Sequence, residues 1–216
     1  MIAIKLRLGM RASEFRRGIS ITKQGLETGK FGGWLTEYMQ SLPRYQVYFD
    51  HGDKSRYSNV LATKGFYSKC GDVVTNANRL TDLDIVVIEP TGSAALVIEI
   101  EERPCSPKKI LGDVLALMLC NRLAARVDGE QKYYELSQNT KIIVAGVLPG
   151  NGCRLARIHD LIEPRLRNLN APPDSINPTN IHFIFNEHIK DVINELKKSF
   201  KRCSRKSHLN KKRIHI

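Results

Sequence analysis

Apolar positions between Trp34 and Phe200 fall into short blocks whose spacing changes along the chain. Trp34, Leu35, Tyr38, Met39 and Leu42 recur at helical intervals and predict a helix that stops before Pro43. Tyr45-Gln-Val-Tyr-Phe49 reads as a strand, closed by the turn-rich Asp50-His-Gly-Asp53. Two nearly continuous apolar runs follow, Leu83 to Ile88 and Ala94 to Ile100, joined by the turn Pro90-Thr-Gly-Ser93. A helix is predicted over Pro107 to Ala125, with Ser106 as its N-cap and Pro107 in its first turn. Lys141 to Leu148 is an almost unbroken apolar strand, the pattern of burial on both faces. A helix over 154–169, a short strand over 181–185 and a last helix over 187–202 complete the order. Residues 1–32 are broken up by Gly18, Gly25, Gly29, Gly32 and Gly33, and residues 54–79 show no period. Antiparallel strands followed by a helical crossover to another strand predict an α/β fold, a mixed central β-sheet flanked by helices.

Composition narrows this picture. The 216 residues suit one domain with a real core, and 42% hydrophobic residues exclude a wholly disordered chain. No apolar run approaches the roughly 20 residues that span a bilayer, and the N-terminus lacks a secretory pattern. The chain therefore reads as soluble and cytoplasmic, without a membrane partner. Five cysteines stand at 70, 105, 120, 153 and 203, none of them in a Cys-x-x-Cys pair, and they read as reduced and structural.

The formal charge of +12 is uneven: nine basic residues and no acid lie between Lys197 and Arg213, and without them the chain carries +3. Residues 1–196 thus read as a single domain and 197–216 as a basic C-terminal tail. That tail is either an arm that gathers around phosphates or a solvated segment that aids solubility. Lys54, Arg56, Lys64, Lys69 and Arg79, interleaved with Tyr57, Phe66 and Tyr67, form a second basic stretch suited to nucleic acid.

Acidic residues punctuate the two apolar runs. If the strands pair about a centre between Thr91 and Gly92, Asp84 lies opposite Glu99 and Asp82 opposite Glu101, all on one face. Like charges so placed repel, and they call for a proton or a cation unless solvent relieves them at the strand ends. A divalent metal with oxygen ligands meets that need.

An acid opening one apolar strand, an acid-x-acid triplet in the next, then a helix and a further strand: this arrangement resembles the PD-(D/E)XK nuclease superfamily. The resemblance covers roughly residues 34–148. Asp84 matches the first half of its motif; Glu99 and Glu101 match the first and last positions of the second. Leu83 stands where the motif has Pro, and Glu101 where most members have Lys. One branch of the type II restriction endonucleases carries Glu-x-Glu here; another moves its lysine to a Ser-x-x-Lys, a form that Ser106-Pro-Lys-Lys109 takes. On a helical wheel Lys109 falls opposite the apolar centre of its helix, so Lys108 is the better candidate. Glu37 fits the place of a helix glutamate that the family uses, and His51 reads as part of an ordinary turn. The resemblance implies a restriction-endonuclease-like fold and a Mg²⁺-dependent endonuclease, with Mn²⁺ able to substitute. Asp84, Glu99 and the main-chain oxygen of Ile100 would hold the metal, Glu101 and Lys108 would assist, and DNA would be cut by a homodimer of the restriction type. A structure-specific repair or junction nuclease is the alternative on the same site, and a non-catalytic nucleic-acid-binding module the alternative without one.

Overall fold

The computed structural model describes residues 25–40, 44–68, 71–148, 157–170 and 174–211. Its architecture is mixed α/β: a five-stranded mixed sheet and a four-stranded antiparallel sheet, flanked by helices. The larger sheet has the order β1 (Gln46–Phe49), β4 (Ile85–Ile88), β5 (Ala94–Pro104), β8 (Lys141–Val147), β9 (Ile181–Asn186). Its first two pairings are antiparallel and its last two parallel. The smaller sheet runs β3 (Arg79–Leu83), β2 (Thr63–Phe66), β6 (Arg122–Val127), β7 (Glu130–Glu135). Among the described residues no helix is long and apolar enough to cross a membrane.

The central hairpin has the register that its apolar pattern predicts: Ile85, Val86 and Val87 face Ile98, Val97 and Leu96, with a bulge before Ile88. Strand β8 lies between β5 and β9, and Ile142, Val144 and Ala145 are fully enclosed. One face of the sheet packs on helices α1 (Leu26–Met39) and, near the C-terminus, α4 (Ile189–Lys211). Phe31 and Leu35 meet Phe49, Ile85, Val87 and Leu196 in that layer. Burying each such side chain contributes about 1.5–3 kcal/mol. The other face packs on helix α2 (Pro107–Leu119) and the inner side of the smaller sheet, through Val86, Val97, Val114, Leu117 and Leu123. A turn of π-helix, Arg157–Ile162, runs into the short helix α3 (Glu163–Arg167) and supplies Ile158 and Leu166 to this layer.

Several elements depart from the sequence expectation. Helix α1 begins at Leu26, eight residues earlier than predicted, and contains Gly29, Gly32 and Gly33. These glycines let the helix lie directly on the chain beneath it. A Cβ on Gly29 would fall 2.8 Å from the Cα of Gly52 and the oxygen of His51. Helix α2 ends at Leu119 rather than Ala125, and the helix-favouring Leu-Ala-Ala instead forms β6, paired on both sides. The β6–β7 turn places Asp128 and Gly129 at φ 53° and 85°, the positive-φ pair that two-residue hairpins use. Strand β2 emerges from the stretch 54–79, where period gave no signal. Helix α4 runs on to Lys211, nine residues past its predicted end at 202. The predicted helix start at 154–156 and Leu42 lie outside the described residues.

Gly29→Ala separates packing from helix propensity. Propensity alone would stabilise α1 by about 1 kcal/mol. The close approach of α1 to Gly52 reverses the sign, and a loss of about 2 kcal/mol is expected, read from the midpoint of urea unfolding.

Candidate functional site

Strands β3 and β4 are one run of chain that parts at Asp84. On its N-terminal side, Thr63, Lys64 and Gly65 of β2 pair with Leu83, Asp82 and Thr81. On its C-terminal side, β4 joins β1 and β5. Strand β5 continues past this parting, so its residues from Glu99 onward have a strand partner only in β8. A cleft of about 330 Å³ opens there, lined by His51, Asp84, Glu99, Ile100, Glu101 and Lys109 among others.

Asp84 bridges the two sides. Its main-chain oxygen accepts a hydrogen bond from the amide of Asp50 at 2.9 Å, and its Oδ2 accepts one from the amide of Ile100 at 2.8 Å. The carboxylate therefore does for β5 what the departed strand would have done. Burial drives the Asp84 carboxyl up to about 6; the Ile100 amide and nearby His51 oppose that rise, and the charges of Glu101 and Asp50 add to it. Its Oδ1 lies 3.8 Å from His51 Nε2.

Glu99 shares a side of β5 with Glu101, two residues on. Burial first, then the charges of Asp84 and Asp113, hold its carboxyl well above the usual range. Its Oε1 is fully enclosed and makes no hydrogen bond. An enclosed, unpartnered carboxylate oxygen is costly unless it holds a proton or meets a cation.

Glu101 accepts a short hydrogen bond from Lys109 Nζ. Its neighbour on β8 is Gly146, where a Cβ would come within 2.9 Å of the Glu101 Cβ. Ser106 caps α2 as predicted, accepting from the amide of Lys109, and the helix starts where β5 ends. Its first turn therefore overhangs the cleft, and because side chains lean toward a helix N-terminus, Lys109 reaches back to Glu101. Lys108, the sequence choice, is exposed and is absent from the cleft lining. A wheel reports which side of α2 meets the core; it does not report that its first turn stands over a strand end.

Other predicted residues separate. Asp82 is not opposite Glu101: it pairs with Lys64 in the smaller sheet and forms an ion pair with Arg79. Lys64 and Arg79 thus belong to that sheet, whereas Lys54 and Arg56 lie on the exposed loop after His51. Lys69 lies outside the described residues. Glu37 lies on α1, accepts a hydrogen bond from Tyr57 Oη at 3.1 Å and pairs with Arg56 at 3.5 Å. His51, set aside in the sequence as a turn residue, lines the cleft. Only tertiary contact could reveal it, since Asp-His-Gly-Asp looks like any turn. Glu102, on the opposite side of β5 from Glu101, accepts from the amides of Gly25 and Thr28 and from the Thr28 hydroxyl. It holds the start of α1 at the cleft edge.

Among the described residues no three His, Cys, Asp or Glu side chains stand at metal-ligating spacing. The acids singled out in the sequence that line this cleft are Asp84, Glu99 and Glu101. This set defines a carboxylate-lined cleft at the branch of two sheets. Comparison of the chain with protein families, curated proteins and solved structures finds no match.

The acids of the cleft oppose folding at neutral pH. A carboxyl raised from 3.8 to about 6 keeps its proton longer when folded, so Asp84 costs stability above pH 6 and nothing well below pH 4. Asp84→Asn keeps an acceptor for the Ile100 amide. In chelator it is expected to be more stable than the native chain at pH 8, by up to about 3 kcal/mol. The gap closes as pH falls from 6 to 4, measured by urea unfolding at each pH.

Proposed function

We propose that the chain is a metal-dependent endonuclease of the restriction-endonuclease-like class, hydrolysing DNA phosphodiester bonds in the cleft at Asp84, Glu99 and Glu101. The observation that carries this reading is the enclosed, unpartnered Oε1 of Glu99 beside the half-buried Asp84 carboxylate. The convergence of residues 84, 99 and 101 on one cleft, with a helix and a parallel strand after them, agrees with the PD-(D/E)XK resemblance.

Asp84, Glu99 and the main-chain oxygen of Ile100 would hold a Mg²⁺ ion, with Mn²⁺ able to take its place: hard, oxygen-rich ligands suit both. When bound, such an ion polarises the scissile phosphate and lowers the pKa of a water. Glu101, fixed by Lys109, would orient the attacking water and take its proton. Lys109 would then face the charge that builds on the phosphate, the role given to Lys108 in the sequence reading. His51 would steady Asp84. Lys54 and Arg56 lie nearest for the phosphate backbone, and helix α4 supplies further cations.

A restriction-type enzyme cutting both strands of a duplex calls for a homodimer with two-fold symmetry. A structure-specific repair or junction nuclease is the second reading, and the aromatic groove beside the cleft, bordered by Trp34 and Tyr57, favours it.

Plasmid DNA incubated with the full chain and Mg²⁺ is expected to be nicked or cut, and chelator stops the reaction. Asp84→Ala and Glu99→Gln should each lower the rate by at least about a hundredfold, and Lys109→Ala should cost far more than Lys108→Ala. Undiminished cleavage by Asp84→Ala would remove the proposal.

A further inference from the structure

A second concavity adjoins the carboxylate cleft. It encloses about 680 Å³, and the two share Gly25 and His51 in their walls. Helix α1 forms one side, through Leu26, Lys30, Trp34 and Glu37, which recur at the spacing of one helix face. The loop after β1 forms the other, through Gly52, Asp53, Arg56 and Tyr57. Its apolar wall is unusual for a surface: Leu26 is 41% exposed, and Trp34 and Tyr57 are both only partly covered. The indole of Trp34 is braced between Phe31 and Tyr38, with ring centroids at 5.5 and 5.1 Å. The Arg56 guanidinium stands 5.1 Å from the Tyr57 ring centre.

Charged groups of both signs rim this wall, Lys30 and Arg56 beside Glu37 and Asp53. Lys30 and Arg56 are well exposed and are held by Glu27 and Glu37 in surface ion pairs, which contribute little and which a phosphate can replace. Outside that lining, Lys197 of helix α4 places its ammonium 5.3 Å from the Trp34 ring centre. On the same helix Lys198 and Lys201 are exposed close by.

We infer that this groove receives an unpaired nucleic-acid strand leading away from the carboxylate cleft, with bases against Leu26, Trp34 and Tyr57 and phosphates toward Lys30, Arg56 and Lys197. Apolar and aromatic walls with a cationic rim are what a single strand uses, because each unpaired base offers an apolar face and each phosphate a charge. A paired strand keeps its bases inside the duplex and presents phosphates alone, leaving the wall unused. The inference rests on the nuclease reading for its direction and narrows the substrate to DNA with an unpaired segment beside the cut.

Trp34 is the chain's one tryptophan, so its emission reports on this wall and on its packing against helix α4. The full chain in chelator is titrated with single-stranded DNA of roughly 16 nucleotides, with a duplex bearing a single-stranded overhang, and with a blunt duplex. The expected result is a change of Trp34 emission with the first two and none with the third, with affinity falling as salt rises. The Lys30→Ala, Arg56→Ala double variant alters two exposed side chains outside the core. It should bind the single strand about tenfold more weakly, with a salt dependence reduced by about two ions. Unchanged emission with every DNA, an equal change with the blunt duplex, or native affinity in the double variant would overturn the inference. Cleavage without any Trp34 response would reject the groove and leave the nuclease reading standing. A Trp34 response in a chain that never cleaves would reject the nuclease reading and leave the groove as a binding site.

Discussion

One stretch of chain serves two sheets, and everything at the cleft follows from where it changes allegiance. β3 pairs with β2 and β4 pairs with β5, so the chain must leave one sheet for the other within a single residue, Asp84. Strand β5 runs on beyond that point and loses its neighbour on one side. An exposed strand edge usually finds water or another strand; here the Asp84 carboxylate accepts the Ile100 amide. The side chain that completes the sheet is therefore held where Glu99 and Glu101 also project. A carboxylate in that place pays desolvation and repulsion together, which is why burial drives both Asp84 and Glu99 upward. Charge held at that place therefore lowers the stability of the fold at neutral pH.

The same branch explains what the sequence could and could not tell. The β4–β5 register was assumed from a turn centred between Thr91 and Gly92, and Ile85, Val86 and Val87 meet the partners that centre requires. Extending that register to Asp82 and Glu101 fails, since an apolar alternation reports burial and says nothing about which sheet buries it. Strand β2 and the β6–β7 hairpin were illegible for a related reason. β2 is the four residues Thr63–Phe66, set in basic surroundings, and β6 is written in residues that favour a helix until β2 and β7 pair with it from both sides. Asp128-Gly129 did carry a hairpin signal, and the helical look of Leu-Ala-Ala masked it.

Helix α1 shows the limit of reading glycine as a breaker. Gly29, Gly32 and Gly33 weaken a helix in isolation, yet they let α1 approach Gly52, Phe49 and Tyr57 more closely than any side chain would allow. That closeness has consequences for the site. It sets the His51 ring against Gly25, while Glu102 fastens the same end of the helix to β5. Two of the cleft's walls are thereby tied to one another, through residues that no spacing rule connects. Lys109 belongs with these: its role depends on a helix beginning at a strand end, a relation of elements rather than of positions.

Helix α4 joins the basic C-terminal run to the rest. In the sequence that run read either as an arm that gathers around phosphates or as a solvated segment. In the fold, Val192, Ile193 and Leu196 bury one face of the helix, Phe200 packs against Phe31 and Trp34, and Tyr38 donates a hydrogen bond to the Phe200 oxygen. The cations from Lys197 onward thus follow directly from a segment fixed to α1. A free basic arm would surrender conformational entropy on meeting a phosphate backbone, whereas charges carried on an anchored helix surrender less. Because α1 is in turn held at the cleft edge by Glu102, a strand gripped along α4 and the groove would reach the carboxylates at a set angle. On the proposed reading, position along the strand, more than total charge, is what this arrangement would select.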